Sequence, residues 1–128
     1  MLFVPTELRP SAIHGIGVFL LAPAKKGDLI WRFDSRIDRV YNLLEIETLP
    51  KHVEKFLFIY CYWHEGTDLY VLHGDGGRYI NHADKPNLVS RGSAFGDLVA
   101  ARNLAAGTEI TVSYHKHCDY VRLTGEFT

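Results

Sequence analysis

Cysteine is scarce: Cys61 and Cys118 are the only two in 128 residues. Two thiols cannot build a disulfide scaffold, and a chain of this length does not need one. A reducing cytoplasm is the expected location. Excess charge of either sign is also missing. Fourteen Lys plus Arg stand against fifteen Asp plus Glu, a formal charge of -1. No electrostatic field therefore points to direct binding of nucleic acid or to an anionic membrane. Long apolar runs are lacking. The longest, residues 16–24, carries a glycine and a proline and is far too short to span a bilayer. The opening Met-Leu-Phe-Val-Pro-Thr-Glu-Leu-Arg-Pro has neither the basic nor the sustained apolar region of a signal peptide. Repeats, linkers and low-complexity tracts are absent. What is present, 47% hydrophobic and 23% charged residues, is ordinary globular usage and excludes disorder. The length suits one compact domain better than two.

Punctuation along the chain gives a strand-rich order. Residues 2–8 read as a short strand closed by Arg9-Pro10, and Gly15-Ile16-Gly17 opens the β-branched and aromatic run Val18-Phe19-Leu20-Leu21. Lys25-Lys26-Gly27-Asp28 is a turn signal before a third strand, Leu29-Ile30-Trp31-Arg32-Phe33. The middle differs. Residues 42–49 form a weak helical stretch, and Pro50 suits the first turn of a second helix. Val53, Phe56, Leu57, Tyr60 and Cys61 then recur at helical spacing. Strand character returns at residues 69–72, followed by Gly74-Asp75-Gly76-Gly77; residues 81–87 read as a loop. Residues 97–102 and 109–114 read as strands joined by the turn Ala105-Ala106-Gly107-Thr108. The fold class is α+β, mainly β, with a short helical insert.

Several motifs have plain readings. Gly15-Ile16-Gly17 fails as a dinucleotide or phosphate loop because it enters a strand and position 20 is Leu. Alone it is a turn. His115-Lys116-His117-Cys118 lacks a second ligand pair at finger spacing, so it reads as a polar segment and no metal is expected. Gly92-Ser93-Ala94-Phe95-Gly96 has the wrong spacing for a nucleophile elbow. Asn81-His82, taken alone, is an Asx-rich turn, and Tyr114 taken alone is a strand-end core aromatic.

Read together, in this order, they resemble the SET domain family of S-adenosylmethionine-dependent lysine methyltransferases. His14-Gly15-Ile16-Gly17-Val18-Phe19 is similar to the family's first cofactor motif. Residues 69–82, ending Arg78-Tyr79-Ile80-Asn81-His82, are similar to its Arg-Phe-Ile-Asn-His signature, which Pro86-Asn87 completes at the expected spacing. Ala100-Ala101-Arg102-Asn103-Leu104 through Tyr114 is similar to its C-terminal motif, Ala-x-Arg-x-Ile-x-x-Gly-Glu-Glu-Leu-Thr-x-x-Tyr. Three motifs in sequence are far more specific than one.

The resemblance implies small curled sheets, a pseudoknot formed by the last two motifs, and a variable insert at residues 39–68. It implies that cofactor and substrate lysine enter from opposite faces and meet through a narrow channel. Gly15, Ile16, Gly17, Phe56, Arg78, Tyr79, Asn81 and His82 would bind S-adenosylmethionine. The Asn81 amide would reach its methionine end, and the His82 backbone its adenine. Tyr114 would be catalytic, and Tyr60 and Tyr120 would line the channel. The implied partner is a protein or peptide lysine, with a histone as one option.

The departures from the pattern are specific. Asp84 stands where many nuclear members have Cys, and no Cys-rich tail follows, so no zinc is expected. Phe56-Leu57-Phe58 replaces a Tyr-Leu-Phe stretch and loses a hydroxyl. Lys116 and Cys118 stand where an aromatic often follows the final Tyr, leaving Tyr120, Phe127 or the second subunit of a homodimer to complete the channel. The compact form is similar to viral and bacterial members, which keeps a host-cell nucleus open as an alternative location. The rival class is a non-catalytic binding module of the same fold. A flavin or nicotinamide enzyme resting on Gly-x-Gly lacks the helix that chemistry needs.

Overall fold

The computed structural model describes residues 1–64, 67–92 and 95–113. Strand β1 (Thr6–Pro10) pairs antiparallel with β2 (Ile16–Leu20), Thr6 opposite Leu20 and Pro10 opposite Ile16. Proline at the outer end of an edge strand interrupts no ladder. Residue 2, which the sequence places in the first strand, instead forms an isolated bridge to Trp31. β1 begins later because the register with β2 sets it, and its own residues are mostly exposed.

β3 (Leu29–Trp31), β8 (Leu88–Arg91) and β9 (Asp97–Ala100) form one antiparallel sheet in the order β3-β9-β8. β4 (Arg39–Tyr41), β5 (Cys61–His64) and β6 (Leu69–Leu72) form another in the order β4-β6-β5. The insert is therefore only partly helical, since its first and last segments are strands flanking β6. Within it, α1 (Leu43–Glu47) starts on a capping box: Asn42 Oδ1 accepts from the Glu45 N–H at 2.8 Å, and Glu45 returns the bond to the Asn42 N–H at 2.9 Å. α2 (Lys51–Tyr60) follows Pro50, as expected.

Side-chain alternation splits the core. Val71 of β6 and Tyr62 of β5 face the main cluster with Val18, Leu20, Ile30, Trp31, Leu98 and Ile110. Tyr70 and Leu72, on the opposite face, join Ile46, Leu57 and Cys61 in a second cluster under the helices. The central sheet is thus buried on both faces, which a two-sided apolar run permits. A buried carboxylate ties the edge of this assembly: Asp38 accepts from the N–H groups of Asp34 and Gly74 at 2.9 and 3.0 Å.

The last element crosses between two earlier ones. The Leu20 N–H donates to Thr108 and the Ile110 N–H to Val18, both at 2.9 Å, fixing residues 108–110 along β2. β10 (Thr111–Val112) then pairs in parallel with β7 (Asn81–His82), Thr111 opposite Asn81. Residues 81–87, read from sequence as a loop, begin with this short strand, and β8 follows directly. Asn87 carries the crossing. Its side chain donates to Glu109 O at 2.8 Å and accepts from the Thr111 N–H at 2.8 Å, replacing ladder bonds so short a pair cannot make.

Candidate functional site

The site begins at the β1–β2 turn. Ser11 N–H donates to Gly15 O at 2.8 Å, closing the turn, and Gly15 adopts φ +46°, where a side chain would be strained. Asn81, buried at the start of β7, reaches across from the second motif. Its Nδ2 shares two N–H hydrogens among three acceptors, the backbone oxygens of His14 and Ile16 at 3.0 and 3.1 Å and Glu109 Oε2 at 2.9 Å. Every neighbour of that nitrogen is an acceptor, which fixes the orientation of the amide. Carbonyls on both sides of Gly15 are therefore held by a single side chain. At Gly17 a Cβ would lie 2.3 Å from Glu109 Oε2, so glycine lets the third motif close on the first.

A second group of expected residues assembles beside it. A 3₁₀ turn, Gly76–Tyr79, capped by Asp75, packs against β1 and β2 and presents Arg78 and Tyr79. Tyr79 meets Tyr60 edge-on at 5.9 Å, and Tyr60 meets Phe56 at 5.0 Å, both from the last turns of α2. The Arg78 guanidinium lies 5.7 Å from the centre of the Phe56 ring while its Nε donates to His73 O at 3.2 Å. Among the described residues its terminal nitrogens have no carboxylate partner. Phe56, which the helical stripe would put in the core, is 37% exposed.

Cys61, where α2 gives way to β5, is buried beside this group. Burial pushes its thiol up to about 12, against the opposing pull of the Arg78 charge. The cysteine is thus an inert packing residue at neutral pH. His82 has its ring beside exposed Asp84, Nε2 to Oδ1 at 3.1 Å, and its backbone in the β7–β10 pair. Among the described residues no three His, Cys, Asp or Glu side chains converge as a metal site would require, and no helix there is long and apolar enough to cross a membrane.

A family model described as "SET domain" matches residues 15–115. The chain belongs to the SET domain family. It is 30% identical over 116 residues, 81% of its length, to human histone-lysine N-methyltransferase 2B, and that match spans 4% of the relative. Among solved structures it superimposes on a Plasmodium falciparum protein described as a histone methyltransferase with a TM-score of 0.58, at 24% identity, covering 87% of this chain and 93% of that one. A humanized mutant of the Chaetomium thermophilum Polycomb Repressive Complex 2 bound to the inhibitor GSK126 gives a TM-score of 0.66 at 18% identity, over 93% of this chain and 16% of that one. Those two likenesses establish the mainly-β SET fold.

Of the expected SET-domain site residues, Gly15, Ile16, Gly17 and Asn81 form one interlocked unit, and Phe56, Tyr60, Arg78 and Tyr79 form the adjoining one. Tyr114 and Tyr120 lie outside the described residues. Sequence reasoning did not single out Ser11 or Glu109. The Ser11-x-Ile13-His14 spacing, suited to a side-chain-to-backbone turn, was the available signal for the first. The residues present fit S-adenosylmethionine in kind: aromatic rings for adenine, a guanidinium without a carboxylate partner among the described residues, and a glycine turn that brings backbone close.

Proposed function

We propose that this SET domain transfers a methyl group from S-adenosylmethionine to a lysine amine of a protein, with a histone tail as one candidate substrate. One observation carries the reading. Asn81 binds the carbonyls on both sides of Gly15, so the motifs that the family uses for its cofactor are physically one unit here.

When bound, the cofactor supplies an electrophilic methyl on a sulfonium. The chain's own residues have three tasks. Arg78 would receive the carboxylate end, with Phe56 and Tyr79 offering rings nearby. Asn81, its NH₂ group taken up by His14, Ile16 and Glu109, would act on the methionine end by fixing the turn, and the His82 backbone would meet the adenine. The third task concerns the lysine. A free amine with pKa near 10.4 is neutral only about 0.04% of the time at pH 7. A dry channel, for which the family resemblance nominates Tyr60 and Tyr120, would together with a cationic sulfonium favour the neutral amine that attacks. The role of orienting amine and methyl is assigned by the family resemblance to Tyr114, whose hydroxyl would perform it.

The test is calorimetric titration with S-adenosylmethionine, followed by mass spectrometry of peptide pools incubated with both. Binding together with a lysine gaining one methyl supports the proposal. Binding without transfer to any pool identifies a non-catalytic module, and absence of binding removes the reading altogether.

A further inference from the structure

Glu109 stands where two hydrogen-bonding paths meet, and the proposed chemistry uses it only as one acceptor for Asn81. Its carboxylate accepts from Ser11 Oγ at 2.8 and 2.9 Å, one oxygen each, and from Asn81 Nδ2 at 2.9 Å. Ser11 has one hydroxyl proton. Because the carboxylate takes it, the serine oxygen is left as an acceptor, and it receives the N–H groups of Ile13 and His14 at 2.9 and 3.3 Å. On the other side, Asn81 holds the carbonyls of His14 and Ile16 at 3.0 and 3.1 Å. The turn is thus gripped by its N–H groups through Ser11 and by its carbonyls through Asn81. Glu109 joins the two grips.

The same carboxylate oxygen occupies the space a side chain at position 17 would need, 2.3 Å from an added Cβ. Hydrogen bonds accepted by an ionised carboxylate are about twice as strong as neutral ones. The turn's amides and carbonyls are otherwise on exposed residues, where water would compete for them.

We propose that Glu109 is a positioning residue: it sets the cofactor-facing shape of residues 11–17 by orienting Ser11 and Asn81 together, and cofactor affinity follows from that shape. The inference rests on the cofactor reading above, and its test separates the two. Glu109→Ala removes both acceptors. Glu109→Gln keeps one carbonyl oxygen able to accept from both partners and serves where the alanine variant fails to fold. Ser11→Ala cuts the N–H grip alone.

Amide hydrogen exchange measures the clamp without any ligand. At Ile13 and His14 it should rise by about tenfold in Ser11→Ala and Glu109→Ala, the loss expected for one charge-assisted bond, with Val71 and Val99 unchanged. Glu109→Gln should fall between wild type and alanine. Titration with S-adenosylhomocysteine should follow the same order, while the peptide KM stays constant. Unchanged exchange at Ile13 and His14 overturns the clamp. Raised exchange with unaltered cofactor affinity overturns the positioning role. A wild-type protein that binds no cofactor overturns that role and the functional reading together, while exchange still decides the clamp.

Discussion

Arg78 and Phe56 are joined across the site, the guanidinium 5.7 Å from the ring centre. Phe56 belongs to the insert and Arg78 to the Asn-His motif, so the insert and the motif-bearing part of the chain meet in one cation–π pair. Arg78→Ala should weaken S-adenosylhomocysteine binding about tenfold to a hundredfold, since a carboxylate partner would be lost. Phe56→Ala should cost only about 0.5–1 kcal/mol, as suits a partly exposed cation–π contact. Calorimetry on both variants and on the double variant checks this. Coupling between them is expected because they touch. Full affinity in a folded Arg78→Ala protein would remove the residue from the site.

That same contact limits how freely the insert can steer substrate choice. Leu44, 70% exposed, and Lys51, His52 and Lys55 are exposed residues on the two helices of the insert. Exchanging these four should change which peptides are methylated and leave cofactor affinity within about twofold, as for surface changes that disturb no buried group. Peptide-array turnover beside a cofactor titration is the measurement. Collapse of cofactor affinity with peptide preference unmoved would refute the assignment.

Cys61 gives a pH-dependent prediction. Burial raises its thiol from the ordinary 9.0 to about 12. The folded state then holds a proton that the unfolded state releases above pH 9. Stability from this group is complete below that point and declines as pH rises toward 12. With Cys118→Ser in place, native Cys61 should react with iodoacetamide at pH 8 on the order of a hundredfold or more slower than in denaturant, because only the thiolate attacks. Equal rates would show that the α2–β5 junction admits water.

How far the sequence revealed this arrangement depended on whether local or distant residues decided each element. β6 was legible because Leu69-Tyr70-Val71-Leu72 is a strand-forming run between Asp68 and Gly74. Helix α2 was legible from Pro50 and the apolar spacing, yet the spacing ran on into Cys61, where pairing with Leu72 turns the chain into β5. No local signal marks that change; the neighbouring strand makes it. β7 and β10 are two residues each, too short for any periodicity, and are held by Asn87. The candidate site divides in the same way. Motif order identified Gly15, Gly17, Arg78 and Asn81, whereas Glu109 passed as one more motif letter because its role depends on Ser11, distant in the chain.

The last prediction concerns Tyr114, which follows β10 by two positions and which the family resemblance nominates as the closing tyrosine of the final motif. Val112 lies opposite His82, and the Ala83 N–H donates to Val112 O at 3.0 Å, so the strand that precedes Tyr114 in the sequence is paired with the Asn-His motif itself. Phenylalanine keeps the ring, and packing and fold should survive the exchange. Only the hydroxyl is lost. If it orients amine and methyl mainly in the transition state, turnover should fall roughly 10²–10³-fold, as for other preorganised polar contacts, with little change in cofactor affinity. The measurement is single-turnover methyl transfer by Tyr114→Phe beside an S-adenosylhomocysteine titration of the same sample. A parallel loss of affinity would assign the hydroxyl to ground-state binding of the cofactor. Near-normal turnover would make Tyr114 a packing residue and move the catalytic role elsewhere.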